Sequence, residues 1–312
     1  MGIFVGGAYQ DLIMIHPLLQ QVQEGNVKAI ARSISIIENE VPGYDELLHS
    51  LPSSSKKIIG ITGPPGAGKS TLVDGLIRLL ISLGNRVGIL CVDPSSPFNL
   101  GALLGDRIRM SDWYTAPQVF IRSLASRGSL GGLHPKIIEI SDLMKVAPFD
   151  YIIVETVGVG QSEIEIAGLA DTTIVVMVPE AGDEVQTMKA GLMEIADIFV
   201  VNKSDRPDAD IFVKNLRSML SPLYSHHQEP APVVKTIATK QVGMEELLRM
   251  IDLHQSVGLL PQKKLWLLAE KAFHLIQQTR MRNVDKKWLQ EKISKELSRG
   301  EFNLYRFVSQ HI

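Results

Sequence analysis

Gly63-Pro64-Pro65-Gly66-Ala67-Gly68-Lys69-Ser70 follows the spacing G-x-x-x-x-G-K-[ST] without a gap. Those residue types suit one chemistry, the cradling of a phosphate chain. Glycines let the backbone close tightly and aim successive N–H groups at an anion, and a helix starting there adds its positive end. Lys69 would reach the β- and γ-phosphates, and the Ser70 hydroxyl would hold Mg²⁺. Thr71, next in the chain, falls within the same phosphate-binding set, as do Pro64, Pro65 and Ala67 inside the loop. The flanks agree. The apolar run Ile58-Ile59-Gly60-Ile61 precedes the loop, and Leu72, Leu76, Leu79, Leu80 and Leu83 repeat at helical spacing after it.

Two further segments carry nucleotide chemistry. Asp150-Tyr151-Ile152-Ile153-Val154-Glu155-Thr156-Val157-Gly158 is an apolar run ending in an acid and then a glycine. An acid at such a strand end orients Mg²⁺, and the glycine N–H can touch the γ-phosphate and so sense hydrolysis. Here Glu155-x-x-Gly158 stands in place of the common D-x-x-G and keeps its charge. Phe199-Val200-Val201-Asn202-Lys203-Ser204-Asp205 ends in N-K-x-D. The Asp205 carboxylate can accept from guanine N1–H and the 2-amino group, whereas adenine would leave it unpaired. Sites built on such polar pairing discriminate by about 10⁴–10⁵. Lys203 would lie along the base and Asn202 would brace the loop. For Ile237-Ala238-Thr239, a backbone contact to guanine and a plain strand-to-helix loop both fit.

These motifs need a scaffold, and the pattern predicts one. Apolar runs at 58–62, 86–92, 118–122, 151–155, 173–178, 197–202 and 232–236 alternate with helix-length segments. Most are continuous, as in strands buried on both faces of a parallel sheet joined by helical crossovers. The expected class is α/β, a mostly parallel central sheet flanked by helices in the manner of P-loop NTPases. Helical extensions are expected at both ends. Residues 1–55 form the N-terminal one, with Asn26 as a helix cap. Residues 56–258 form the nucleotide domain. Residues 259–312 form a C-terminal helical arm with Trp266, Ala269, Phe273 and Ile276 on one stripe.

Composition narrows the function. Lys and Arg number 32 against 34 Asp and Glu, a net charge of −2 that points to neither nucleic acid nor a membrane surface. The single cysteine, Cys91, lies in an apolar run and reads as a core thiol in a reducing compartment. No run reaches a membrane span, and the N-terminus lacks a basic signal start, so a cytoplasmic location is expected.

The motifs and the text between them resemble the methylmalonyl-CoA mutase-associated GTPases (MeaB/ArgK type) of the SIMIBI class. The resemblance is dense over residues 56–205. It rests on Val92-Asp93-Pro94-Ser95-Ser96-Pro97, Leu104-Gly105-Asp106-Arg107-Ile108-Arg109-Met110, Ser126-Arg127-Gly128-Ser129-Leu130-Gly131-Gly132, Glu155 to Glu163, and Ala181 to Asp197. It implies that Asp93 faces the Mg²⁺ site, and that Asp106 and Arg109 lie in a first switch. There Asp106 would position water or metal, and Arg109 would contact phosphate or a partner. Glu155 to Glu163 would form a second switch. Pro179 to Lys189 would form a mobile loop that relays nucleotide state. The implied ligands are GTP, GDP and Mg²⁺. The implied role is a homodimeric chaperone that gates cofactor loading of an adenosylcobalamin-dependent acyl-CoA mutase. Two departures stand out: Phe98-Asn99-Leu100-Gly101 after the Ser-Pro pair, and His134 where a small residue is usual.

Val159, not glutamine, directly follows Gly158, which predicts slow intrinsic hydrolysis raised by a partner. A GTP-dependent metallochaperone and a transport-system kinase are the competing readings. His226-His227 lies in a polar loop without nearby cysteine and reads as solvated, which disfavours the former.

Overall fold

The computed structural model describes residues 6–93, 110–126, 133–156, 162–181, 193, 195–220, 231–257, 261–281, 284, 286–298, 300 and 302–310. Asp106, Arg109, Gly158, Lys189 and the His226-His227 pair lie outside the described residues. The chain divides into two compact units, Met1–Leu259 and Leu260–Ile312.

In the first unit, seven strands form one sheet: β1 (Ile58–Thr62), β2 (Val87–Asp93), β3 (Val119–Ala125), β4 (Tyr151–Glu155), β5 (Thr172–Met177), β6 (Ile198–Val201) and β7 (Val233–Lys235). Their order is β3-β2-β4-β1-β5-β6-β7, with every neighbouring pair parallel. The continuous apolar runs have their cause in burial on both faces. Ile174 and Val176 of β5 point into one core with Leu72, Leu76, Leu247 and Ile251. Val175 and Met177 point the other way, into a second core with Phe199, Phe212 and Leu216. β3 extends to Ala125, beyond the expected 122, because Ser123, Leu124 and Ala125 continue the pairing with Cys91, Val92 and Asp93. Cys91 is buried in the first core, as its apolar run implied.

Helices cover both faces: α4 (Lys69–Ser82), α5 (Ile137–Val146), α6 (Ser162–Leu169), α7 (Ala209–Leu220) and α8 (Met244–Val257). Parallel pairing puts every strand's C-terminal end on one edge, where ligands of open α/β sheets bind. At the opposite edge, aspartates just ahead of their own strands accept N–H groups at neighbouring strand starts. Asp150 takes the amide of Arg86 at 2.7 Å, Asp171 that of Ile58 at 2.8 Å, and Asp197 that of Thr173 at 2.8 Å.

Three helices precede the sheet: α1 (Gly6–Gln23), α2 (Val27–Glu38) and α3 (Tyr44–His49). Asn26 caps α2, its side chain accepting from Lys28 and Ala29 N–H at 3.0 and 3.1 Å. Ile30, Ile34 and Ile37 line the buried face of α2. Its polar end meets β3 and the start of α5. Arg122 pairs with Glu38 at 2.8 Å, and Lys136 pairs with Glu40 at 2.9 Å and Glu139 at 3.2 Å. His134 is enclosed here: its Nδ1 accepts the Lys136 N–H at 3.0 Å, and its Nε2 faces Glu38 at 3.8 Å. A small residue would fill less of that space, which gives the departure at 134 a packing role.

The second unit holds α9 (Pro261–Met281), α10 (Lys286–Leu297) and α11 (Leu304–Ser309). Trp266, Phe273 and Ile276 of α9 are exposed. The Lys292 ammonium lies 5.6 Å from the Trp288 ring centre.

Phe199 is fully buried between β6 and α7, three residues before Asn202. Phe199→Ala is expected to lower stability by about 3–5 kcal/mol through lost burial and a residual cavity. Urea unfolding followed by far-ultraviolet dichroism checks it, and a loss under about 1 kcal/mol would contradict this packing.

Candidate functional site

The loop between β1 and α4 is shaped by glycines that no other residue replaces without strain. Gly63 has φ +139°, and a Cβ there would lie 2.1 Å from the Val176 carbonyl oxygen. Gly68 has φ +87°, and a Cβ there would lie 2.4 Å from Asn202 Nδ2. Gly68 caps α4 in the left-handed conformation with no side-chain hydrogen bond at that end, which leaves the helix start facing the loop. The Lys69 ammonium donates to the Gly63 and Pro64 carbonyls at 2.9 and 3.2 Å. It therefore stays within the loop's span, where a phosphate chain would lie. Pro64, Pro65, Ala67 and Thr71 follow the same backbone path, with the Ala67 N–H closing onto the Pro64 carbonyl at 3.3 Å.

One residue after Lys69, the Ser70 hydroxyl donates to Glu155 Oε1 at 2.7 Å in a buried setting. Glu155 ends β4 and pairs in register with Cys91 of β2, whose last residue is Asp93. Both acids are 3% exposed. Next to Glu155, the Thr156 hydroxyl donates to that of Thr62 at 2.9 Å, tying this strand end to the one that feeds the loop. A hydroxyl and carboxylate oxygens at adjoining strand ends are hard donors suited to Mg²⁺, which keeps most of its waters and needs few protein ligands. Among the described residues no group of three or more His, Cys, Asp or Glu side chains forms a protein-only metal cage.

The N-K-x-D segment meets the glycine loop through Asn202. Its Nδ2 donates to the Ala67 carbonyl at 3.0 Å. Its Oδ1 accepts from the Thr236 hydroxyl at 3.1 Å and the Ala238 N–H at 3.2 Å. Lys203, in the left-handed region at φ 55°, reaches back with its ammonium to the Gly66 carbonyl at 2.7 Å. Asp205 stands on the turn that follows, with Lys240 Nζ 3.2 Å from its Oδ2. The Lys240 hydrogen bond holds the Asp205 carboxyl below the usual carboxylate range, and its own backbone N–H adds to this.

The motif residues separated by more than 130 positions are thus assembled at one sheet edge. Ile237, Ala238 and Thr239 sit there too. Ala238 and Thr239 fall in a short 3-10 turn, Ala238–Lys240, braced by an antiparallel bridge between Ile237 and Val242. Thr236 was legible only as part of an apolar run's end. Its hydroxyl is buried against Asn202, and a threonine two residues before Ala238 at a strand end was the available signal. Trp113, unremarked in the sequence, donates its indole N–H to Asp74 of α4 at 2.6 Å, with the Arg78 guanidinium 5.3 Å above its ring. Asp106, Arg109 and Gly158 receive no position, being outside the described residues.

Comparison with known proteins agrees with this geometry. The family described as methylmalonyl-CoA mutase-associated GTPase MeaB matches residues 30–293. A protein named as a GTPase in Pyrococcus abyssi is 42% identical over 307 residues, covering 95% of this chain and 92% of its own length. The GTPase ArgK of Escherichia coli is 37% identical, covering 75% of this chain and 73% of its own. The fused isobutyryl-CoA mutase of Geobacillus kaustophilus is 35% identical over 237 residues, which span 71% of this chain and 22% of that protein. Among solved structures, one described as an LAO/AO transport system kinase superposes with a TM-score of 0.69 at 24% identity, over 99% of this chain and 98% of the other, a likeness of fold. With the family match spanning most of the chain and relatives well above 30% identity, the chain belongs to the MeaB family of methylmalonyl-CoA mutase-associated P-loop GTPases.

Proposed function

We propose that the protein is a guanine-nucleotide switch that serves an adenosylcobalamin-dependent acyl-CoA mutase, gating cofactor loading and protecting or reactivating the enzyme. The observation that carries the nucleotide half is the Asn202 side chain, which bonds the phosphate loop on one side and the Ala238 turn on the other while Asp205 stands three residues on. The mutase half is supported by the fused isobutyryl-CoA mutase relative, in which a segment similar to this chain is part of a mutase polypeptide. Methylmalonyl-CoA mutase is the first client to test, given the family's description.

In this reading Gly63 to Thr71 bind the phosphates, and Asn202, Lys203 and Asp205 bind the base, with Ile237, Ala238 and Thr239 at its edge. Ser70, Asp93, Asp106 and Glu155 hold Mg²⁺, which when bound neutralises charge on the β- and γ-phosphate oxygens. Lys69 stabilises the transferring phosphoryl group. Asp106, Arg109 and Gly158 are assigned to the switches by resemblance. With Val159 where a water-orienting glutamine often stands, turnover is slow until a partner orders the switch loops. The exposed Trp266, Phe273 and Ile276 on α9 support a homodimer contact in the C-terminal unit. No described helix is long and apolar enough to cross a membrane.

Removing the ammonium in Lys69→Ala should cut GTP hydrolysis at least about 10²-fold, as loss of a donor to developing charge does elsewhere. Phosphate release in single-turnover assays measures it, and unchanged turnover would remove Lys69 from the site. Asp205→Asn should weaken GTP binding by on the order of 10- to 100-fold and favour xanthosine triphosphate, whose 2-oxo group accepts from the asparagine amide. An unaltered base preference in competition binding would exclude Asp205 from base recognition. The function itself is tested by GTP hydrolysis with and without purified methylmalonyl-CoA or isobutyryl-CoA mutase. Stimulation by either is the expected result, and indifference to both would contradict the mutase assignment while leaving the GTPase intact.

A further inference from the structure

We propose that Lys240 is a specificity-positioning residue for the guanine site: its ammonium seats the Asp205 carboxylate in the orientation that meets the two donors of the base. The proposal rests on the reading of Asp205 as the guanine-selecting acid and names a residue outside the N-K-x-D motif that makes it work.

Lys240 Nζ and Asp205 Oδ2 lie 3.2 Å apart, with side chains 62% and 41% exposed. An ion pair so open to water contributes little to folding stability. Its consequence lies in where it holds the carboxylate. Among the described residues, the partners of that carboxylate are Lys240 and its own backbone N–H. Without the ammonium, a short side chain on a surface turn would sample several rotamers, and base binding would have to select one of them.

Both ends of the pair are tied to the buried contact between Thr236 and Asn202. On the Asp205 side, Ser204 donates to the Thr236 carbonyl through its N–H and its hydroxyl, each at 3.0 Å, and the Arg206 N–H closes the turn onto Lys203 at 3.0 Å. On the Lys240 side, the Lys240 N–H bonds the Ile237 carbonyl at 2.8 Å, and Gln241 reverses the chain at φ 58°. Ile237 and Val242 exchange backbone hydrogen bonds at 3.0 and 3.3 Å. The Ala238 N–H fixes this turn to Asn202. The backbone that carries the ammonium is therefore tied to the backbone that carries the acid.

The ammonium does not compete with the base. A carboxylate offers about four lone-pair positions. Guanine N1–H and its 2-amino group take two, Lys240 takes one, and the backbone N–H takes the last. The surrounding charge acts in the same direction. Lys240 is the largest influence holding Asp205 ionised, the backbone N–H is the next, and Arg206 adds a smaller share. The Arg206 guanidinium is itself engaged by Glu180, from the short turn Pro179–Ala181 that follows β5. Glu180 balances Arg206, so Lys240 is the cation committed to Asp205.

The test is calorimetric titration of GDP and ADP into wild type, Lys240→Ala, Lys240→Arg and Asp205→Asn, repeated for GDP as pH falls from about 6 to about 3, the range that brackets an aspartate's titration. Lys240→Ala is expected to weaken GDP about three- to tenfold, in line with an exposed charge-assisted bond, and to leave ADP unchanged. Lys240→Arg should restore GDP binding. Guanine needs the ionised carboxylate. Losing the cation that keeps Asp205 ionised should therefore move the acid-side fall in GDP affinity to higher pH, an effect a merely structural lysine would not produce. If wild type prefers GDP and Asp205→Asn loses that preference, while Lys240→Ala keeps wild-type affinity and pH profile, Lys240 has no such role. Tighter GDP binding by Lys240→Ala would overturn the proposal by making the lysine a competitor. Equal GDP and ADP affinity in wild type, unmoved by Asp205→Asn, would remove the guanine reading and this inference together.

Discussion

The hydrogen bonds of the Asn202 side chain hold the site together. An amide has a donor end and an acceptor end, and here each faces its complement: NH₂ to the Ala67 carbonyl, oxygen to the Thr236 hydroxyl and the Ala238 N–H. The group is nearly fully buried, so each unmade bond would leave a desolvated polar atom, at about 1–3 kcal/mol apiece. That cost makes the arrangement nearly all-or-none. It also explains Gly68, where the first atom of any side chain would collide with Asn202 Nδ2. The glycine is required by the asparagine as much as by phosphate.

The sheet supplies what this contact needs. β1 and β6 are separated by one strand, β5, and parallel pairing brings the ends of all three to the same edge. Side chains alternate into two cores that lock β5 and β6 from both sides, and Phe199 anchors β6 just ahead of Asn202. On the other side of β1, β4 delivers Glu155 to Ser70. The glycine loop and the helix start behind it thus receive the Glu155 carboxylate from one neighbour and the Asn202 amide from beyond the other. In the proposed switch, a change at the γ-phosphate would be felt at these strand ends.

Much of this was legible in the chain. The seven apolar runs fell on seven strands because strands buried on both faces read as unbroken hydrophobic stretches. Asn26 was legible as a cap because its side chain bonds amides only two and three positions further on, a relation that local pattern carries. The site motifs were legible because phosphate and guanine impose fixed spacings on the backbone. The rest depends on three-dimensional approach. Thr236 and Lys240 matter through partners 34 and 35 positions away, a relation no local pattern carries. His134 looked like an irregularity until the docking of α2 enclosed it beside Glu38. Trp113 was silent because its meaning lies in Asp74 on a different element.

The central claim is that one buried amide makes the phosphate loop and the base loop a single guanine-nucleotide site. The most direct measurement is GDP affinity of Asn202→Ala by calorimetry, with thermal unfolding of the same sample as a control. The account predicts a loss of at least about 100-fold in a protein that still folds, since two or more buried bonds are removed at once. GDP affinity within threefold of wild type in a folded Asn202→Ala protein would contradict it.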